Sequence, residues 1–483
     1  MASLLLRVVA LLAVVVLAVL GATLLLDSSG GPRLAPGSGQ APGQSGELVD
    51  PLAYTPERES DLIAAAARGN AHVIYAKSPG GARASAQRTA RYRPLVEAAA
   101  RAAKLGPDML EAIVLLESAG RPDAAADPRL DGAVGLTQIL AQTASGLLHM
   151  RVDPAGARRI GRSIARAQQH GDAPLVARLR ARRRRVDERF DPPKALAATA
   201  RYLVFAKGLL HRDDLAVESY HMGVGNLQTA LRAYDGGDDV SYARLYFDST
   251  PTRHATAWSS LARLGDDSST YLWRVLAARE IMRLYRSDPA ELDRVSALQN
   301  AKNSAEEVLH PQTATEQFAT PDDLRAAYAD GRVVKLPRPL LAEHGIRVDA
   351  QMGELAGRLR RSPATYRGLR PEALALLVVL GAGTKEISGR SPLVLTSTVR
   401  DQRYQRLLVA SNREATRNFS LHTTGWAFDI LRSYRSRAQA LAFEFMLGRL
   451  QSQDLIAWVR EPAAIHVTVS AQAEQLLGVL KGG

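Results

Sequence analysis

The chain has 483 residues, with 62 Lys or Arg against 49 Asp or Glu, so its formal net charge is +13. That length suits two or three domains, each large enough to bury its own core. Cysteine is absent, which excludes disulfides, thiolate metal sites, iron–sulfur clusters, a cysteine nucleophile and a lipidated cysteine; any metal must sit on His, Asp or Glu. The positive balance favours anionic partners such as an acidic polymer or lipid headgroups.

In chain order, residues 8–26 carry no charge. Nineteen helical residues reach about 28 Å, close to the hydrocarbon thickness of a bilayer. The run ends in Leu24-Leu25-Leu26-Asp27 without a convincing small-x-small cleavage site. Residues 1–26 are therefore expected to form a transmembrane anchor, with a signal segment as the alternative, and either one exports the rest of the chain. Residues 27–48, mostly Gly, Pro, Ser and Ala, read as a flexible linker. An exported chain meets envelope polymers and lipid first, so a nucleic-acid partner is not expected.

Residues 49–290 read as a mainly helical domain, with apolar positions recurring every three or four residues. Pro107 opens one helix. Its far end, Glu117-Ser118-Ala119-Gly120-Arg121-Pro122, breaks at Gly and Pro. Glu117 thus ends an apolar helix, where the surroundings and the negative terminus both disfavour a charged carboxylate and raise its pKa towards that of a general acid. Residues 157–189 form an arginine-rich insert, expected to be helical, either a solvated face or a surface for anionic partners. An amphipathic helix from Tyr271 to Tyr285 should complete the core.

Three segments, Glu117-Ser118, then Gly132-Ala133-Val134-Gly135-Leu136-Thr137-Gln138-Ile139, then Ser219-Tyr220-His221-Met222-Gly223-Val224-Gly225-Asn226, resemble in order the signatures of the lysozyme-like catalytic domain of soluble lytic transglycosylases. His221 stands where Asn is usual and Thr137 where Met is usual. The resemblance implies cleavage of the β-1,4 bond between N-acetylmuramic acid and N-acetylglucosamine in peptidoglycan, with formation of a 1,6-anhydro sugar and no cofactor. Glu117 matches the catalytic acid, Gln138 and Tyr220 match saccharide and acid-positioning groups, and His221 lies among the substrate contacts. Gly132 and Gly135 match a turn that lets backbone approach the sugar. The alternative is hydrolysis, as in a lysozyme, if Asp123, Asp127 or Glu218 places a water.

Residues 291–337 are polar and broken by prolines, and read as a connector with short helices. Residues 338–483 change texture. Runs such as Leu393 to Val399 and Ile465 to Val469 predict strands beside helices such as Arg437 to Leu450, an α+β domain. There His422 and Asp429 stand seven residues apart, and His466 lies in a late strand. Two imidazoles and a carboxylate make a zinc set with one open position.

Ser420-Leu421-His422-Thr423-Thr424-Gly425-Trp426-Ala427-Phe428-Asp429 resembles the S-x-H-x-x-G-x-A-x-D motif of zinc D-alanyl-D-alanine carboxypeptidases and endopeptidases. Ser397 to Asp401 and Gln405 are similar to that family's arginine-bearing segment. The resemblance implies His422, Asp429 and His466 as zinc ligands and Arg400 as the oxyanion stabiliser. The family's catalytic Glu lies in E-x-x-H, whereas here Glu461 precedes His466 by five residues, with Pro462 between. The domain would cut stem peptides or only bind them. Taken together, the two resemblances imply an enzyme of the bacterial cell envelope, anchored in the inner membrane with its catalytic domains outside the cytoplasm. Its implied partners are peptidoglycan, the membrane, and cell-wall synthesis or division proteins. A non-catalytic peptidoglycan-binding scaffold is the remaining alternative.

Overall fold

The computed structural model describes residues 50–237, 239–411 and 416–481. The expected anchor, residues 1–26, and the linker, residues 27–48, lie outside the described residues. Among those described, no helix is long and apolar enough to cross a membrane. The chain is mostly helical, with a small mixed sheet towards its C-terminus, and the described residues belong to one compact unit.

The helices that position the sites are α1 (Glu59–Gly69), α2 (Pro107–Ser118), α3 (Pro154–Gln169), α4 (Ala173–Val186), α5 (Pro192–Leu210) and α6 (Asp213–Met222). They are followed by α7 (Tyr271–Ser287), α8 (Pro289–Gln299), the short α9 (Glu306–Leu309), α10 (Pro371–Ser388) and α11 (Arg437–Ser452). Helix α2 opens with Pro107 and ends on Ala119, whose left-handed φ of 52° closes the last turn onto Leu115 O. It is apolar nearly all round, with Leu110, Ala112, Ile113, Val114 and Leu115 all buried. Such a helix must be central, and α7 packs along it.

The arginine-rich insert is a helical hairpin. Asp153 caps α3 by accepting the Gly156 N–H, and Asp172 caps α4 by accepting the Leu175 N–H. Between them Gly171 turns the chain at φ 69°. Ile160, Ile164, Ala167 and Val176 bury against one another, and most of the arginines face outward.

The sheet comprises β1 (Ile346–Val348), β2 (Leu393–Ser397), β3 (Ala427–Leu431), β4 (Ile456–Arg460) and β5 (Ala464–Val469), in the spatial order β1-β2-β3-β5-β4. Only β1 and β2 run parallel; the other neighbours are antiparallel. Phe428, Ile430, Val467 and Val469 join residues of α10 and α11 in one hydrophobic core, separate from the helical core around α2 and α7.

Residues 302–318, expected to be part of a connector, run along the sheet. His310 Nε2 lies 2.6 Å from Val469 O and its ring stacks on Trp426. The Phe318 N–H donates to Thr423 O at 2.7 Å.

The two cores meet where α1 packs on α11. A Cβ on Gly69 would stand 1.9 Å from Gln451 O, so the contact needs glycine. Arg68 pairs with Asp454 at 2.7 Å beside it. Gly69→Ala must push the helices apart, and a loss of at least the usual overpacking cost, about 1–3 kcal/mol, is expected in urea denaturation. Unchanged stability would mean that the two halves do not rest on this contact.

Candidate functional site

Two polar sites stand out, one in each half. In the first, Glu117 occupies the last turn of α2, just before the break at Ala119 and Gly120. A Cβ on Gly120 would lie 2.5 Å from Thr89 N, so close packing dictates where α2 stops. Ser118 Oγ donates to Leu136 O at 2.7 Å and ties the helix end to the loop of residues 130–139. Glu117 keeps an exposed edge, yet burial pushes its carboxyl up to about 7, against the opposing pull of a Tyr271 hydrogen bond and the Arg274 charge.

The Tyr271 hydroxyl donates to Glu117 Oε1 at 2.7 Å. Sequence reasoning placed Tyr271 only as the start of a core helix and matched Tyr220 to the acid-positioning role. The Tyr220 hydroxyl donates to Thr137 O at 2.7 Å, and its ring lies 6.2 Å from that of Tyr271. His221 stacks on Tyr271 at 5.2 Å and places Nδ1 2.8 Å from Ser268 Oγ. The Tyr271 ring thus meets both residues of α6 that the motif singled out.

The loop of residues 130–139 packs closely against its neighbours. A Cβ on Gly135, at φ 83°, would meet Arg189 O at 2.0 Å. Glycine is required there because protein backbone fills the space a Cβ would need. Gly132 has no such crowding, and its carbonyl accepts from Arg189 Nη1 at 2.9 Å. Gln138 sits at φ 51°, and its side-chain amide donates to Gly135 O at 2.8 Å and Ala124 O at 3.2 Å. That amide braces the loop.

The acids that could place a water are occupied elsewhere. Asp123 pairs with Arg180 and Arg183, and Asp127 with Arg129. Glu218 is fully buried and accepts the Leu272 N–H at 2.8 Å, with burial pushing its carboxyl up to about 8. The acid whose charge reaches Glu117 is Asp267, a residue that sequence reasoning missed, itself paired with Arg274.

Glu218 also yields a stability prediction. Its pKa is raised by folding, so the folded state takes up a proton and Glu218 weighs against folding increasingly from pH 4.5 up to about 8. The melting-temperature advantage of Glu218→Gln over the parent is expected to grow across that window and then level off. An advantage that shrinks with pH would contradict the assignment.

In the second site, strand register does the assembly. Asp429 on β3 is paired directly opposite His466 on β5 and Ser397 on β2. His422 lies on the turn Leu421–Thr424, and Gly425, at φ 79°, returns the chain into β3. The ligand atoms of His422, Asp429 and His466, all buried, lie within 4.8 Å of one another. His422 Nδ1 donates to Thr398 O at 2.8 Å, and Nε2 points to Asp429 at 3.2 Å. Burial and the nearby Arg400 hold the His422 imidazole neutral, so Nε2 presents a lone pair. His466 Nδ1 lies 2.8 Å from Asp429 Oδ1.

The expected residues are thus brought together, and the group can hold a metal. Its two imidazoles and one carboxylate, with no sulfur, suit zinc. Beside them opens a cavity of about 820 Å³, lined also by Arg400, Glu461 and Glu306. Arg400 donates to Gln405 Oε1 at 3.0 Å and lies 3.5 Å from Asp429 Oδ2. Glu461 sits on the turn between β4 and β5, and its charge acts on Arg400. The position three before His466 is Ala463, which is exposed. Glu306, which sequence reasoning missed, reaches His466 from the connecting region.

No family model matches this chain and no curated protein matches it, so a reading of its function rests on the chemistry of these two sites.

Proposed function

We propose that this protein is an exported cell-wall enzyme, a peptidoglycan lytic transglycosylase, anchored by residues 8–26 in the inner membrane of a bacterium. The observation that carries this reading is a single carboxyl, Glu117, raised to about 7 at a helix end and hydrogen-bonded by Tyr271. Such a group holds its proton near neutral pH and can give it up, as a general acid must. Glu117 would protonate the glycosidic oxygen as the bond to muramic acid breaks. The substrate's N-acetyl oxygen would stabilise the resulting centre, and the Glu117 carboxylate would then take the proton from the muramyl 6-hydroxyl as the 1,6-anhydro ring closes. Asp123, Asp127, Glu218 and Asp267 are all engaged in other contacts, which favours this one-carboxylate route over hydrolysis.

The second site would take the stem peptide of the same polymer, with zinc held by His422, Asp429 and His466. The chemistry zinc supplies when bound is Lewis-acid polarisation of a peptide carbonyl. Arg400 would bind and orient that carbonyl, and Glu461, which lines the same cavity, would serve as the acid. Ala463 at the E-x-x-H position favours a second reading, in which the site binds peptide without cutting it. Tethering both sites on one chain raises the effective concentration of each on the polymer.

The test is digestion of purified peptidoglycan by the full-length protein and by Glu117→Gln, with and without a chelator, read by mass spectrometry. Anhydro-muropeptides lost in the variant support the transglycosylase. Reducing-end products shift the reading to a lysozyme, and chelator-sensitive shortening of the peptides establishes the second activity. A parent that releases nothing from several kinds of wall refutes the enzyme reading in favour of a scaffold.

A further inference from the structure

A carboxylate from the connecting region lies buried against the metal-binding group. Glu306 is the first residue of α9, and its Oε2 stands 3.1 Å from His466 Nε2. The same oxygen accepts from Thr468 Oγ1 at 3.2 Å. Its other oxygen pairs with Lys302 Nζ at 2.8 Å, and Lys302 donates in turn to Phe419 O at 2.6 Å. A carboxylate withdrawn from water is tolerated only when it is paired and hydrogen-bonded. Both oxygens of Glu306 meet that condition, and one of their partners is the outward nitrogen of His466. The inward nitrogen, Nδ1, faces Asp429 Oδ1 at 2.8 Å.

We propose that Glu306 is a positioning residue of the metal centre. By accepting the Nε2–H of His466 it keeps a proton on the outward nitrogen, so that Nδ1 is the nitrogen that exchanges its proton for metal, and it locks the ring towards Asp429 and His422. Carboxylates behind ligand histidines act in this way on orientation and basicity. The inference rests on reading His422, Asp429 and His466 as ligands. It adds that the centre is shared: its ligands come from residues 422–466 and its brace from residues 302–306, a segment that continues from α8 of the helical half. Metal retention then depends on the docking of that segment. Lys302, anchored on the Phe419 carbonyl, holds Glu306 in place.

The test is titration of metal-stripped full-length protein with Zn²⁺ against a chromophoric chelator, for the parent, His422→Ala, Glu306→Gln and Glu306→Ala. The parent is expected to bind zinc and His422→Ala to lose it. Glu306→Ala should bind about 10- to 100-fold more weakly. Glu306→Gln keeps an acceptor without the charge and should fall between. Cobalt substitution gives a second readout: the visible bands of Glu306→Ala should differ from the parent's, which a residue that only supports the fold would not cause. If the alanine variant does not melt cooperatively, the isosteric glutamine variant carries the test. Parent-like affinity and cobalt spectra in the Glu306 variants overturn the proposal while leaving the metal reading intact. A parent that binds no zinc refutes the metal reading itself, and the proposal with it.

Discussion

Glu117→Gln is expected to lower glycan cleavage by about two to four orders of magnitude, the usual contribution of a positioned general acid, without loss of fold. The substitution keeps the side chain's size and an oxygen for the Tyr271 hydroxyl to donate to, and removes only the transferable proton. In the proposed mechanism the same carboxyl sets the parent's pH profile. Glu117 is protonated below about 7, so kcat/KM should fall about tenfold per pH unit above that value. Tyr271 contributes in a defined direction. Its hydrogen bond favours the carboxylate and restrains the rise caused by burial. Tyr271→Phe should therefore move the falling limb to higher pH, and it should weaken the second step, in which the carboxylate must be held towards the 6-hydroxyl. A limb that moves to lower pH, or does not move, would remove Tyr271 from the mechanism. Cleavage of normal rate in Glu117→Gln would remove Glu117.

The contrast between Glu117 and Tyr271 indicates what the chain makes legible. Glu117 stands in a local pattern, with Pro107 opening the helix and Gly120 and Pro122 ending it, and a helix boundary is a property of neighbouring residues. The residue that touches it arrives from 154 positions away, at the start of a helix whose apolar periodicity reports only burial. The second site shows the same division. His422 and Asp429 are readable because a short turn leads directly into a strand, and His466 because it lies in an alternating run. Glu306 stands 160 residues before His466 in a polar, proline-broken region where no period marks it. Gly135 illustrates a different limit. A glycine in a turn announces that something comes close, but not whether it is a ligand or, as here, the Arg189 carbonyl.

Arg189 also carries the largest expected effect on stability. Its side chain and that of Asp187 are both 0% exposed and paired at 2.8 Å. The guanidinium donates to Leu130 O at 2.9 Å, Gly132 O at 2.9 Å and Ile139 O at 3.4 Å, which pins the loop carrying Gly135, Thr137 and Gln138. Three carbonyls satisfy its N–H groups but cannot neutralise it; Asp187 does that. Asp187→Ala leaves a buried cation without its counter-charge, a loss of about 3–5 kcal/mol, large against the roughly 5–15 kcal/mol that holds a domain folded. The loop should loosen with it, because a guanidinium drawn towards water can no longer hold the carbonyls, and Thr137 O would then leave the Tyr220 hydroxyl. Glycan cleavage is expected to fall in parallel even at temperatures where the variant remains folded. Asp187→Asn, which keeps an acceptor in the same place, should cost less than Asp187→Ala on both measures. Denaturant titrations in which Asp187→Ala loses less than about 1 kcal/mol would mean that Arg189 finds water or another anion, and that the motif loop is held by its own turns alone.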